Sequence, residues 1–444
     1  MEREGVKTMG DITCKFGGTS LADAPCMRQV EQIIRANPKR RFIVPSAPGK
    51  RTPQDKKITD LLYAWHGLAR QGLDSSQPAG IIVDRFEELA QELGLSFDVR
   101  GHIAEIAEIA RKHETPDYMA SRGEYLNGGL MAELLHATFV DPAECIKFDE
   151  EGNLDPVTYE LLASRLAGPG LFVVPGFYGA LPNGDIKTFS RGGSDVTGAI
   201  VARAAQCDLY ENWTDVSGFC MADPSIVPDS LRIEQVTYQE LRELSYMGAR
   251  VLHDEAIFPI RATGIPINIR NTKDPDGPGT MIVAKREAKR PVCGIAGSKG
   301  FTMINIEKAL MNRERGFGRR VLSVLEEYGV SFEHMPTGID TISIIIKDEQ
   351  LAHHGPSIIK GIERACDPDR VTLVPGLALI ATVGQGMNHH VGVAARLCAA
   401  LAEAGVNLRV IDQGSSEMNI IVGVEKRDFE TAVRSIYKAF ESWE

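Results

Sequence analysis

The sequence contains no CxxC pair and no cluster of cysteine and histidine at zinc-binding spacing. Its eight cysteines (positions 14, 26, 145, 207, 220, 293, 366 and 398) are scattered and read as buried, reduced thiols of a cytosolic protein. No run is long and apolar enough to span a bilayer. The charged start, Met1 to Gly10, has no apolar stretch behind it, so the expectation is a cytoplasmic protein with no membrane partner. Basic patches interleaved with aromatics are also missing. Lys plus Arg number 49 against 60 Asp plus Glu, a formal net charge of −11, which argues against nucleic acid and for a small-molecule partner. The Walker A pattern GxxxxGK[ST] does not occur.

What remains is a chain of 444 residues, 43 % hydrophobic and 25 % charged, enough for two or three cored domains. A first strand reads Asp11 to Phe16 and breaks at Gly17-Gly18. A helix follows over Ala24 to Ala36, with Met27, Val30, Ile33 and Ile34 at helical spacing. A second strand, Arg41 to Pro45, runs into the small-residue loop Ser46-Ala47-Pro48-Gly49, and helical patterns dominate from Thr59 to His113. Leu171–Val174, Asp208–Tyr210 and Pro266–Ile269 read as further strands. Strands alternating with helices predict a mostly parallel sheet covered on both faces. The turn-rich stretch Asn271 to Gly279 reads as the clearest linker. Beyond it, Gly316-Phe317, Val321, Leu325, Gly329-Val330 and Gly338 recur as Gly392-Val393, Leu397, Leu401, Gly405-Val406 and Gly414, at a constant offset of 76 residues. That is the mark of a duplicated βαβ-type unit.

Four segments carry chemistry. Lys15-Phe16-Gly17-Gly18-Thr19-Ser20 joins a strand end to a loop before a helix, where backbone N–H groups can cradle phosphate oxygens with Lys15 as a point charge; a purely structural glycine turn is its bland alternative. Thr188 to Asp195 repeats the theme, with Arg191 suited to a carboxylate or phosphate, Gly192 and Gly193 next to it, and Asp195 placed either as a helix cap or as a ligand-facing carboxylate. Trp213 to Pro224, with Thr214, Asp215 and Asp223, starts at a strand's carboxyl end, where α/β sheets bind ligands; a plain Asx-type turn is its bland alternative. Ser121-Arg122-Gly123-Glu124 leads into a leucine-rich helix, so Glu124 either answers the helix dipole or faces a ligand.

Together these segments resemble the aspartate kinases of the amino-acid kinase family, over nearly the whole chain. Lys15–Ser20 is similar to that family's KFGGTS, Met119–Leu126 to its S-x-G-E helix, Phe189–Asp195 to its GRGGSD loop, Trp213–Pro224 to its TDV-x-G…DP segment, and Ser245–His253 to its SYMGARVLH-like motif. The resemblance implies an α/β fold, a three-layer amino-acid kinase sandwich with a mostly parallel sheet, followed by two ferredoxin-like ACT modules. It implies a catalytic domain over 1–290, a first ACT module over 299–374, and a second made of 291–298 with 375–444.

It also implies roles. Lys15, Gly17 and Gly18 would meet the transferring phosphate, with Thr19 and Ser46 in the same crevice. Glu124, Arg191, Gly192 and Gly193 would hold L-aspartate, Asp195 would face its amino group or help order the pocket, and Thr214, Asp215, Asp223 and Arg250 would bind ATP carrying Mg²⁺. The product would be 4-phospho-aspartate. Ser225 stands where the family commonly has Arg, and Arg250 and His253-Asp254 where it often has Lys and HP. An amino-acid effector, lysine and/or threonine, would bind near Met311, Phe317, Ser331, Glu333 and Thr337. The ACT modules would pair subunits into a homodimer or a dimer of dimers. The chain would be monofunctional, with no fused dehydrogenase. Two competing readings are a glutamate kinase of the same fold and a non-catalytic amino-acid sensor.

Overall fold

The computed structural model describes residues 10–112, 115–190, 192–249, 252 and 258–443. These fall into two compact units. The first comprises residues up to Phe219 with Glu234–Tyr238 and Arg250–Arg286, and the second Cys220–Ile233, Gln239–Ala249 and Glu287–Glu444.

In the first unit, β1 (Ile12–Phe16), α1 (Ala24–Arg35) and β2 (Arg40–Pro45) form a parallel βαβ start. The α1 helix begins where it does because Asp23 accepts the Cys26 N–H (2.8 Å) and Pro25 occupies the first turn. It buries Met27, Val30, Ile33 and Ile34 on one face. Four helices follow, α2 (Ile58–Arg70), α3 (Ser76–Leu93), α4 (Val99–Lys112) and α5 (Pro116–Leu135), then β3 (Thr138–Phe139), α6 (Pro142–Cys145), α7 (Val157–Arg165) and β4 (Phe172–Val173). An antiparallel ribbon, β5 (Tyr178–Ala180) with β6 (Ile186–Thr188), leads to α8 (Gly193–Ala204) and β7 (Leu209–Thr214). Then come β8 (Gln235–Thr237), α9 (Tyr238–Tyr246), which from Gln239 on belongs to the second unit, α10 (Phe258–Arg261), β9 (Ile267–Asn271) and β10 (Thr280–Val283). Among the described residues the main sheet has the order β3-β4-β2-β1-β7-β9-β10-β8, parallel throughout except for the β9–β10 pair.

Two sequence readings change here. Asn271–Gly279 is not a linker between domains but the turn of a hairpin, because β10 folds back antiparallel on β9 with Thr280 opposite Ile269. Arg270 ties that turn down by donating to the carbonyls of Pro275 (2.6 Å) and Gly277 (3.2 Å). Pro, Gly and Asp serve hairpin turns as readily as linkers. The strand read as ending at Tyr210 continues through Thr214.

The second unit contains β11 (Gly294–Glu307), α11 (Phe317–Glu327), β12 (Thr341–Lys347), α12 (Asp348–Leu351), α13 (Gly355–Cys366), β13 (Arg370–Val383), α14 (Val393–Glu403), β14 (Val410–Asp412), β15 (Asn419–Glu425) and α15 (Phe429–Phe440). Its antiparallel sheet runs β12-β11-β13-β15-β14. The long β11 serves twice. Gly294–Lys299 pairs with Ala378–Val383, and Phe301–Glu307 pairs with β12 and the start of β13. Two apolar clusters lie along this ribbon. One gathers Ile304, Phe317, Val321, Ile344 and Ile358; the other gathers Ile380, Leu397, Leu401, Val422 and Ile436. The 76-residue repeat is visible directly, since α11 and α14 begin after the left-handed Gly316 and Gly392.

Candidate active site

The glycine turn after β1 meets the loop after β2 backbone to backbone. Gly49 N–H donates to Gly18 O (2.8 Å), and a Cβ on Gly49 would lie 2.5 Å from the Gly18 carbonyl carbon. Only glycine allows two loops to approach this closely. Gly17 donates its N–H to Trp213 O (3.0 Å), so the Gly17 amide, expected from sequence as a phosphate donor, is committed to the end of β7. Thr19, next along the turn, is exposed.

Lys15, at the carboxyl end of β1, is only 8 % exposed. Its Nζ lies 2.6 Å from Asp195 Oδ1. Asp195 stands in the first turn of α8, behind Gly192 in the left-handed conformation and Gly193 as first helical residue. Its carboxylate holds Lys15 and accepts from Asn212 Nδ2 (2.8 Å). Asp195 thus sits both in the first turn of α8 and against the Lys15 ammonium.

Glu124 lies inside α5, eight residues past its Pro116 start, which removes the helix-dipole reading. It is 6 % exposed, and its Oε2 is buried with no hydrogen-bond partner. Burial pushes its carboxyl up to about 7, opposed by the Ala47 N–H, its own backbone and the Arg122 charge. Asn127, one turn on, donates to Ser46 O (2.6 Å) and leaves its own Oδ1 unsatisfied. Ser46 N–H in turn donates to Phe16 O (3.1 Å). Lone buried polar atoms of this kind mark where a ligand completes the bonding. Arg122 itself is taken up structurally, with its guanidinium over the rings of Tyr118, Tyr125 and Tyr178.

Thr214 ends β7 and accepts the Thr272 N–H on its carbonyl (3.0 Å); Asp215 beyond it is exposed. Asp223 belongs to the second unit's Cys220–Ile233 segment, where its carboxylate accepts the Ser225 N–H (2.8 Å). Arg191, Arg250 and His253-Asp254 lie outside the described residues. Among the described residues no three acidic, histidine or cysteine side chains converge as a metal cage.

Of the expected effector residues, Met311 and Phe317 are packed in the core under α11. Ser331 donates its N–H to Gln350 (2.8 Å), Glu333 pairs with Lys347 (3.3 Å), and Thr337 is exposed and donates to Met335 O (3.2 Å). A cavity of about 980 Å³ lies beside them, lined by Gly318, Arg319, Leu322, Ser331, Phe332 and Met335 among others. Asn212, Asn127 and Tyr210 escaped the sequence reading. The signal available for Asn212 was its place immediately before the Trp213-Thr214-Asp215 segment.

Residues 12–271 match the amino acid kinase family and residues 380–440 an ACT domain. Aspartokinase 3 of Bacillus subtilis is 41 % identical, covering 96 % of this chain and 98 % of that protein. The chain belongs to the aspartokinases. Solved members agree in fold. The Clostridium acetobutylicum aspartate kinase is 50 % identical with a TM-score of 0.93, covering 97 % of this chain and all of that one (100 %). Escherichia coli aspartokinase III is 26 % identical with a TM-score of 0.77, covering 97 % and 99 %; it was solved with aspartate and ADP, and again with lysine and aspartate. Membership makes this aspartokinase an ATP-dependent aspartate kinase with ACT-based allosteric regulation. Among its described residues no helix is long and apolar enough to cross a membrane.

Proposed function

We propose that the chain transfers the γ-phosphate of ATP to the β-carboxylate of L-aspartate, giving 4-phospho-L-aspartate for lysine, threonine and methionine synthesis. The observation that carries this is the largely buried Lys15 paired with the partly exposed Asp195 at 2.6 Å, in the same unit as the unsatisfied Glu124 carboxylate. Aspartate's β-carboxylate is ionised at neutral pH and needs no base. One of its oxygens attacks the γ-phosphorus, the bond from that phosphorus to the β–γ bridging oxygen breaks, and ADP leaves with the electron pair. Lys15 neutralises charge that gathers on the transferring oxygens, and the amides of Gly18 and Thr19 supply further donors. Glu124 takes the substrate ammonium, and Arg191 its α-carboxylate, with Gly192 and Gly193 forming the floor. Ser46 borders the crevice. Thr214, Asp215, Asp223 and Arg250 serve the nucleotide, whose phosphates carry Mg²⁺.

The registers of β11 and β13 support the division into a kinase domain over 1–290, a first ACT module over 299–374, and a second from 291–298 with 375–444. Lysine and threonine are the effectors to test, because the E. coli relative was solved with lysine. We further propose a homodimer or dimer of dimers through these modules, and a cytoplasmic location. An ADP-release assay with aspartate and with glutamate checks the reaction. Turnover is expected with aspartate only, and Lys15→Ala should lower it by about 100-fold or more with the fold intact. Turnover with glutamate alone, or an unaffected Lys15→Ala enzyme, rejects the assignment.

A further inference from the structure

Lys15 on β1 and Asn212 on β7 are register partners in the parallel ladder, and Thr13 and Tyr210 are the pair two residues earlier. Period-two alternation therefore puts Lys15, Asn212 and Tyr210 on one face of the sheet, and α8 lies against it. The helix brings Asp195 down onto this face, and the contacts close into a small network. Asp195 Oδ1 accepts from both Lys15 Nζ (2.6 Å) and Asn212 Nδ2 (2.8 Å). The Tyr210 hydroxyl donates to the Asp195 backbone carbonyl (3.1 Å), and Asn212 Nδ2 lies 3.4 Å from that hydroxyl oxygen.

The polarity of the network is fixed by chemistry. An ionised carboxylate only accepts, and Tyr210's proton is committed to a carbonyl. The group facing both must be the Asn212 amide nitrogen. The two strand residues are fully buried, Asn212 at 2 % and Tyr210 at 0 % exposure, while the Lys15 and Asp195 side chains keep 11 % and 14 %. Burial keeps the Tyr210 phenol well above its ordinary range, so it stays a donor. The close fit needs Gly198, since a Cβ there would lie 2.5 Å from the Tyr210 hydroxyl. Two neighbouring strands thus supply three buried donors to one helical residue, and that residue holds the cation.

We propose that Asn212 and Tyr210 are positioning residues for phosphoryl transfer. Asn212 fixes the Asp195 carboxylate in the rotamer that aims Lys15 at the transferring phosphate, and Tyr210 fixes the backbone that carries it. This rests on the roles given above to Lys15 and Asp195. Without the amide, the carboxylate gains rotamers in which Oδ1 leaves Lys15, and the ammonium is no longer held where charge develops. The interaction acts on the step rather than on substrate capture, so it should appear in kcat and not in KM.

The test is a double-mutant cycle on the full chain, read as single-turnover phosphoryl transfer with ATP, Mg²⁺ and aspartate. Asn212→Leu keeps the volume and removes the donor. It is expected to slow transfer by about 10- to 100-fold, with KM for aspartate and ATP within about two-fold of the parent. In an Asp195→Asn background the same change should cost less than about two-fold, because its target has already been altered. Tyr210→Phe runs the same cycle with a smaller steric change, and decides the matter if Asn212→Leu does not fold. An equal loss in both backgrounds, a loss confined to KM, or full rate in both variants overturns the proposal. If Asp195→Asn is slow while Asn212→Leu and Tyr210→Phe are not, only the positioning roles fall. If Asp195→Asn itself runs at full rate, the assignment of the site falls and takes these roles with it.

Discussion

Glu124 spends its time in the ligand-free protein as a buried carboxyl with one unsatisfied oxygen, and its pKa near 7 records that burial. The folded state binds this proton more tightly than the unfolded chain, whose ordinary value is 4.5. Stability therefore falls as pH rises from the unfolded value to the folded one, and the loss is complete above about 7, amounting to about 3 kcal/mol. Glu124→Gln, which cannot ionise, should accordingly be more stable than the parent at pH 8 without ligand, by up to about 3 kcal/mol. The gap should close toward pH 4, as urea unfolding at the two pH values would report. A gap independent of pH would show that ionisation of Glu124 is not its origin. Lys15, Asp195 and Glu124 were legible in sequence because glycines or a helical leucine run flank them. Asn212 was not, and neither was Glu211. The strand reading stopped at Tyr210, yet Glu211 and Asn212 continue it and are buried. Glu211 satisfies its charge on Arg40 (2.8 Å) and Arg270 (3.3 Å), on the face opposite Asn212. Long-range partners decide such residues, and periodicity carries no information about them.

Helix α8 and strand β7 form the contact on which the site's geometry depends. Gly198→Ala would drive a methyl into the Tyr210 ring, with contacts of 2.5 to 2.7 Å, so the helix must shift and carry Asp195 with it. A loss of about 1–3 kcal/mol is expected from such overpacking, measured by thermal unfolding, with transfer slowed beyond what that loss explains. A fully active, destabilised variant would mean that the helix does not set the carboxylate. Elements whose apolar residues recur at a clean period were legible: α1, β1 and β2 appear within a residue of where they were expected, and each repeat copy carries its helix, α11 and α14. The stretch from Asn271 to Gly279 was misread because a tight hairpin and a linker draw on the same residues. Only the pairing of Thr280 with Ile269 tells them apart.

At the level of the whole molecule, the division into units does not follow the order of the chain. Met221 and Ala222, which the sequence assigns to the kinase segment, are buried in the same apolar cluster as Val292, Ile295, Leu397 and Phe440. Met221 O also accepts the Ile295 N–H (2.6 Å). Met221→Ala should therefore weaken the second unit rather than the first, by about 2–4 kcal/mol. Hydrogen exchange resolved by segment would detect the change, with faster exchange in α14 and α15 expected and faster exchange confined to β1 and β7 counting against it.

The double use of β11 also bears on how the protein is made. On a ribosome, Gly294–Lys299 emerges long before Ala378–Val383, the strand segment it must join, and the Met221 segment emerges earlier still. Until Ala378–Val383 and helices α14 and α15 are released, these stretches lack part of their final packing, and this helix–sheet module assembles only after residues far downstream have been made. A nascent chain of this design is exposed to premature strand pairing from the release of Gly294–Lys299 until that of Ala378–Val383, so its yield in the cell should depend on chaperones that hold unpaired strands.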